Sequence, residues 1–219
     1  MNTSAVPRRT FIGWAVWSFV VAPTAASASI HTLGHTDSSA LQQGDQLFAS
    51  RVPEKAKQVH AKFASGVYVS IYEVTTEESR HGVSTERWLC MAFKTESGEY
   101  VVQTSGDALF TSTNWHPTEI AGVTVLDGGD VEVVEELLRG NSTTRWSRSG
   151  NTWELAAMRS AGVSGHRIYE EEYDRDTREL VVRSGDPGET DDLLETKRYA
   201  VTEAFTLADY GRKSLVDVA

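Results

Sequence analysis

The chain has 219 residues, with 21 lysines and arginines against 31 aspartates and glutamates, a formal net charge of −10. An acidic balance with no basic cluster argues against nucleic acid and anionic lipid surfaces as partners. The length lets one domain bury enough surface to be stable without metal or obligate partner, and the single cysteine, Cys90, allows no internal disulfide.

In chain order, Arg8-Arg9 precede an apolar run from Phe11 to Ala22, followed by small residues ending Ala26-Ser27-Ala28. A basic start, a short apolar stretch and an A-x-A-like end form a secretory signal, cleaved after Ala28. The run is shorter than the ~20 residues that cross a bilayer, so no permanent membrane anchor is expected. Without residues 1–28 the formal charge becomes −12 over 191 residues. The stretch from Pro7 to Ile12 resembles the twin-arginine export signal, although Pro7 and Gly13 depart from the usual pattern and Sec export stays open. The resemblance implies export of an already folded chain to the periplasm or the extracellular space. Cys90, inside an apolar run, reads as a buried, inert thiol.

Residues 29–38 read as a mobile leader. A free amine at Ser29 with His31 third is the pattern that wraps copper or nickel, against the simpler reading of a chance histidine in a leader. No other metal site and no cofactor is implied. Residues 39–209 read as one β-rich domain and 210–219 as a tail with a helical turn, with no repeat or linker dividing them.

The spacing of Leu41, Leu47 and Phe48 predicts a helix to about Ser50. Pro53, Val59 and Phe63 predict a second helical segment, stopped by Gly66. The period then becomes two. Residues 67–76 place Val67, Val69, Ile71 and Glu73 on one face and Tyr68, Tyr72 and Val74 on the other. Residues 85–94 are apolar on both faces, as a central strand would be. Strands are predicted at 100–104, 108–113 and 123–126, with a loop at 114–117 that carries Trp115. Asp130 as cap, Val131, Val134, Leu137 and Leu138 as stripe and Gly140 as stop predict a helix over 130–139. An antiparallel meander follows, with strands at 143–148, 152–158, 166–173, 179–184 and 196–205, and Trp146 near Trp153 across the first pair.

The expected fold class is mainly β (α+β): a strongly curved antiparallel sheet or unclosed β-barrel, with an N-terminal helix and a short covering helix. This order, with the hairpin from Gly165 through Asp174-Arg175-Asp176-Thr177 to Ser184, resembles the LolA/LppX-type periplasmic lipoprotein carriers. The resemblance implies a soluble carrier that holds acyl chains or another apolar ligand in the concavity.

Trp88, Trp115, Trp146, Trp153, Tyr169 and Phe205 are the candidate lining of such a site, or else plain core. Trp115 differs from the others in sitting on a loop, where a large aromatic often meets a partner. The carboxylates at 170–176 and 186–192 lack calcium-loop spacing and read as a solvated face. His60, His81, His116 and His166 stand singly, with no elbow or ligand spacing that would assign catalysis. The expected function is an exported binding or carrier protein for an apolar or lipid-like molecule. The alternatives are an envelope interaction or sensor module and, third, an exported hydrolase.

Overall fold

The computed structural model describes residues 38–78, 82–106, 110–113, 119–137, 139–164, 166–186 and 194–218. The chain divides into two compact units, Met1–His35 and Thr36–Ala219. Every described residue belongs to the second unit. Arg8, Arg9, Ala26, Ala28, His31, His81, Trp115 and His116 lie outside the described residues.

The fold is mainly β, as expected, with one N-terminal helix, two antiparallel sheets and no closed barrel among the described residues. Helix α1, Ser38–Phe48, is followed by β1 (Lys57–Ala64), β2 (Val67–Glu78), β3 (Gly82–Lys94), β4 (Tyr100–Thr104) and β5 (Phe110–Thr113). They form a five-stranded sheet in the order β1-β2-β3-β4, with β5 also paired to β3. Ser65 and Gly66 both have positive φ, 52° and 73°, which is the two-residue turn that matches strand twist and sets Ala64 opposite Val67.

The second sheet has seven strands in simple meander order: β6 (Glu119–Val125), β7 (Val131–Leu137), β8 (Gly140–Ser149), β9 (Thr152–Ser164), β10 (Arg167–Asp174), β11 (Glu179–Gly185) and β12 (Glu195–Ala200). A 3-10 turn at Leu215–Val218 closes the described chain.

Strand alternation places the core. Val67, Val69 and Ile71 of β2 and Leu89, Met91 and Phe93 of β3 face the second sheet. There they join Val131, Val133, Trp146, Trp153, Leu155, Tyr173 and Leu180 in one cluster. The opposite face of β2 and β3, with Tyr68, Tyr72, Cys90 and Ala92, is closed by Phe48 of α1. The Tyr72 hydroxyl donates to Asp45 and the Tyr68 hydroxyl to Gln43 at 3.2 Å, which fixes the helix to the sheet. Gly44 lets the helix come close, because a Cβ there would meet the Tyr68 ring at 2.8 Å. Cys90 is fully buried, and burial pushes its thiol pKa far up, as an inert thiol requires.

Two expected helices are strands. Residues 53–65 contain a turn closed by Ala56 N–H donating to the Pro53 carbonyl, and then β1. Strand β1 is exposed along most of its length, so no two-residue alternation marked it in the sequence. Residues 130–139 contain β7, paired on both sides with β6 and β8. Its inward positions are Val131, Val133 and Glu135. A carboxylate at the third breaks the apolar alternation, while valine's branching and two-sided pairing favour the strand.

The last expected strand ends early, at Ala200 rather than 205. Beyond it the chain still pairs with β9. Leu155 N–H donates to the Phe205 carbonyl and Leu207 N–H to that of Trp153, both at 2.9 Å.

Candidate functional site

The side of the seven-stranded sheet that faces the core changes character along its strands. One row across it runs Val133, Thr144, Met158, Tyr173, Leu180, Tyr199. This row is largely dry, with Tyr173 3% and Leu180 0% exposed, and Val201, Phe205, Leu207, Leu215 and Val218 pack in the same cluster. The piece expected to cover the sheet was a helix at 130–139. The C-terminal segment packs there instead, ending in the 3-10 turn.

The next row runs Glu135, Ser142, Ser160, Glu171, Val182, Lys197, and the one beyond it Gly140, Gly162, Tyr169, Ser184, Glu195. Ser160, Glu171, Val182 and Tyr199 are half-buried, and Tyr169 is 37% exposed. The Tyr169 hydroxyl donates to Glu171, and burial together with that carboxylate raises the phenol pKa. The Lys197 ammonium pairs with Glu195 at 3.0 Å. Tyr169, Val182 and Tyr199 therefore form an apolar strip that continues the core outward and carries charged groups at its margin. That composition suits an amphiphile: apolar area for a chain, polar groups to orient a head.

On β7, with β8 and β9 between it and this strip, lies a buried polar group that the sequence did not mark. Glu135 is 2% exposed, and the Tyr210 hydroxyl donates to its Oε1 at 3.3 Å. Burial pushes the Glu135 carboxyl up to about 7, against the Tyr210 hydrogen bond and the Arg87 guanidinium, which both lower it. Arg87 projects from β3 and is ion-paired to Glu73 of β2 at 3.0 Å. The Trp146 indole N–H donates to the Thr144 hydroxyl at 3.1 Å, and the Tyr210 ring lies 5.0 Å from that of Trp146. Read as a strand, the sequence does carry a signal for Glu135, since the period of two places it between Val133 and Leu137.

The six aromatic candidates separate. Trp146, Trp153 and Phe205 are core, at 0%, 0% and 3% exposure. Trp146 opposes Leu155 rather than Trp153, because the ladder shifts between Arg145 and Trp146, while Trp153 opposes Arg148. Trp88 is half-buried against the α1 side of the first sheet. Trp115 is outside the described residues. Tyr169 alone among the described five sits on the strip.

The other side of the seven-stranded sheet is a charged ladder. Arg159 contacts Glu172 through two nitrogens at 2.9 and 3.2 Å, Arg198 meets Glu179 at 2.7 Å, and Arg183 meets Glu170 at 3.6 Å. This bears out the solvated face expected from the 170–176 carboxylates, except that Glu171 turns inward. Among the described residues no group of three or more His, Cys, Asp or Glu could hold a metal ion, and no helix is long and apolar enough to cross a membrane. Compared with known proteins, the chain matches no family model, no curated protein and no solved structure.

Proposed function

We propose that the chain is an exported binding or carrier protein that holds an apolar, lipid-like ligand along the strip of Tyr169, Val182 and Tyr199. The role is that implied by the resemblance of the sequence to the LolA/LppX-type carriers, which now stands on the hairpin around Asp174-Arg175-Asp176-Thr177 alone, since the covering helix expected at 130–139 is strand β7. One observation carries the reading: an apolar strip, continuous with the dry core, is left half-exposed on the core-facing side of β10–β12. A chain laid there would remove apolar area from water at about 25 cal/mol per Å². The ligand sits beside the core and not within it, because Trp146, Trp153 and Phe205 fill the space between the sheets. The signal at Arg8-Arg9 and Ala26–Ala28 supports export to the periplasm or the extracellular space.

The test is native mass spectrometry of protein from the exported fraction, before and after organic extraction, with displacement of a fluorescent fatty acid. Extractable lipid, and an affinity that falls about tenfold in Val182→Glu with the fold intact, support the reading. A lipid-free protein that takes up no fatty acid ends it. N-terminal sequencing of the same material should begin at Ser29.

A second reading, an interaction module, draws on β1, where Val59 and Phe63 are 46% and 42% exposed on an edge strand. Phe63→Ser would then abolish co-purification of an envelope partner while leaving fatty-acid uptake unchanged. Co-purification that survives the substitution removes that reading.

A further inference from the structure

We infer that strand β1 and the turns before it form a docking edge for an anionic membrane surface. Arg51, Lys55, Lys57 and Lys62 would meet the headgroups, and Val59 and Phe63 would enter among them. The edge belongs to the five-stranded sheet, so this goes beyond the ligand reading and stands without it.

The acidic balance of the whole chain, which speaks against such a surface, hides a local reversal. Residues 51–62 carry Arg51, Lys55, Lys57 and Lys62 against Glu54 alone, four positive charges against one, a net of +3 in a chain of −10. A surface responds to the charge it meets, not to the sum. The Debye length is about 8 Å at physiological ionic strength, so carboxylates on the outer face of the other sheet are screened from it.

These cations are uncommitted. All four are exposed, and none pairs with a carboxylate among the described residues. On the seven-stranded sheet, by contrast, Arg145, Arg159, Arg167, Arg183 and Arg198 each stand within 3.9 Å of a carboxylate. Charge is neutralised in place there and left open at β1.

The apolar groups of this edge are built outward. Strand β1 pairs only with β2, at the end of the sheet order. Its register shifts between Gln58 and His60, which leaves Val59 out of the ladder, and a bulge of this kind re-aims its side chain. Val59 is 46% exposed and Phe63 42%. The Phe63 ring lies 4.3 Å from that of Tyr68, which Gln43 of α1 holds through its hydroxyl. It is therefore set outward with little freedom left to lose on binding.

Edge lysines alone would guard the strand against pairing with another sheet, but an exposed valine and phenylalanine beside them do the reverse. The residue choice also favours lipid over protein. Protein interfaces are enriched in arginine and depleted in lysine, whereas basic residues beside exposed aromatics suit an anionic bilayer. The chain has fifteen arginines and six lysines, yet three of those lysines fall within residues 55–62.

The test is co-sedimentation of the exported protein with vesicles of about one-quarter phosphatidylglycerol in phosphatidylcholine, and with phosphatidylcholine alone. Wild type should partition to the anionic vesicles and be released by about 1 M salt. The double variant Lys57→Gln with Lys62→Gln should bind about 25-fold more weakly, about fivefold for each ammonium lost. Phe63→Ser should bind about tenfold more weakly. Arg159→Gln with Arg183→Gln, on the outer face of the other sheet, should bind as wild type does. All variants share one N-terminus and are exposed-site changes, checked for folding by circular dichroism, so the comparison isolates β1. Binding that is absent, equal on both kinds of vesicle, or unchanged in the Lys57/Lys62 variant overturns the proposal. An envelope protein lost with those lysines from a wild type that ignores vesicles makes the edge a protein interface and overturns it equally. The ligand reading is tested apart: vesicle binding without fatty-acid uptake removes the carrier alone, and uptake without vesicle binding removes the docking edge alone.

Discussion

The two sheets are built from similar strands and used differently. The five-stranded sheet is covered on both faces, by α1 on one side and the second sheet on the other, and its central residues from Val67 to Tyr72 and from Leu89 to Phe93 are 4% exposed or less. The seven-stranded sheet has one face of ion pairs in water and another that is dry for part of its length only. Its cover there is a segment with turns of its own. Full burial rigidifies, and partial burial leaves apolar area open, so the difference makes the first sheet the scaffold and is the reason the proposed ligand site is placed on the second.

The sharpest way to break this contrast is to remove a core residue that both sheets share. Trp146→Ala should cost about 3–5 kcal/mol, because a fully buried indole leaves a cavity that its neighbours cannot refill. Urea denaturation would show it as a lower midpoint with an unchanged slope. A loss below about 1 kcal/mol would mean the two sheets do not share one core.

The second effect is pH-dependent and is carried by a residue of the seven-stranded sheet, Glu135. A carboxyl raised from its ordinary 4.5 to about 7 is protonated in the folded chain and ionised in the unfolded one between those values. Its contribution is fully present below about pH 4.5, declines as pH rises to about 7 and is absent above that. With Glu135 almost fully buried, the swing is about 3 kcal/mol. Wild type minus Glu135→Gln, measured by denaturation across this range, isolates it from the other carboxylates. A difference that does not change with pH would sink the assignment.

How much of this contrast was legible follows from which residues obey a simple period. Strands β2, β3 and β4 and the hairpins of β8–β11 were readable because Val, Ile, Tyr and Trp alternate between polar turns, whereas Ser65-Gly66, read as the stop of a helix, is the turn of the β1–β2 hairpin. Strand β7 was not, because Val131, Val134 and Leu137 also fit a helical stripe and Glu135 interrupts the alternation. The carboxylate that hid the strand is the one buried at its inward face. Strand β1 was hidden for the opposite reason: an exposed edge has no face to mark. Within the site, Tyr169 was named from the sequence as one aromatic among six. Val182 and Tyr199 were not named, since only the register of β10 to β12 sets them beside Tyr169, and only the path of the last residues brings Tyr210 to Glu135.

A smaller effect sharpens how the sheets are joined. Gln103 of β4 is a side-chain stitch between them. Its Nε2 donates to the Asn151 carbonyl at 3.1 Å and to the Thr152 hydroxyl at 3.2 Å, and its Oε1 accepts from the Trp153 N–H at 2.9 Å. Gln103→Ala leaves that backbone N–H without its acceptor and should cost about 1–3 kcal/mol. Hydrogen exchange at Trp153 would rise with it. An unchanged exchange rate would mean that the sheets are held by apolar packing alone.

The least effect is expected where the ion pairs are most numerous. Arg159 is 81% exposed beside a Glu172 that is 44% exposed, and Arg198 and Glu179 are 59% and 39% exposed. Pairs in such contact with water gain little from each other, because ordering two long side chains offsets most of the attraction and salt screens the remainder. Arg159→Ala should therefore change stability by less than about 0.5 kcal/mol, and less still in high salt. The ladder's contribution is to keep an outward sheet face wet and unattractive to other sheets. Replacing Arg159 and Arg183 together by Val would test that, with aggregation in place of unfolding as the readout. If the single Arg159→Ala substitution instead cost as much as Gln103→Ala, the outer face would share in holding the fold, and the division of labour between the two sides of this sheet would be lost.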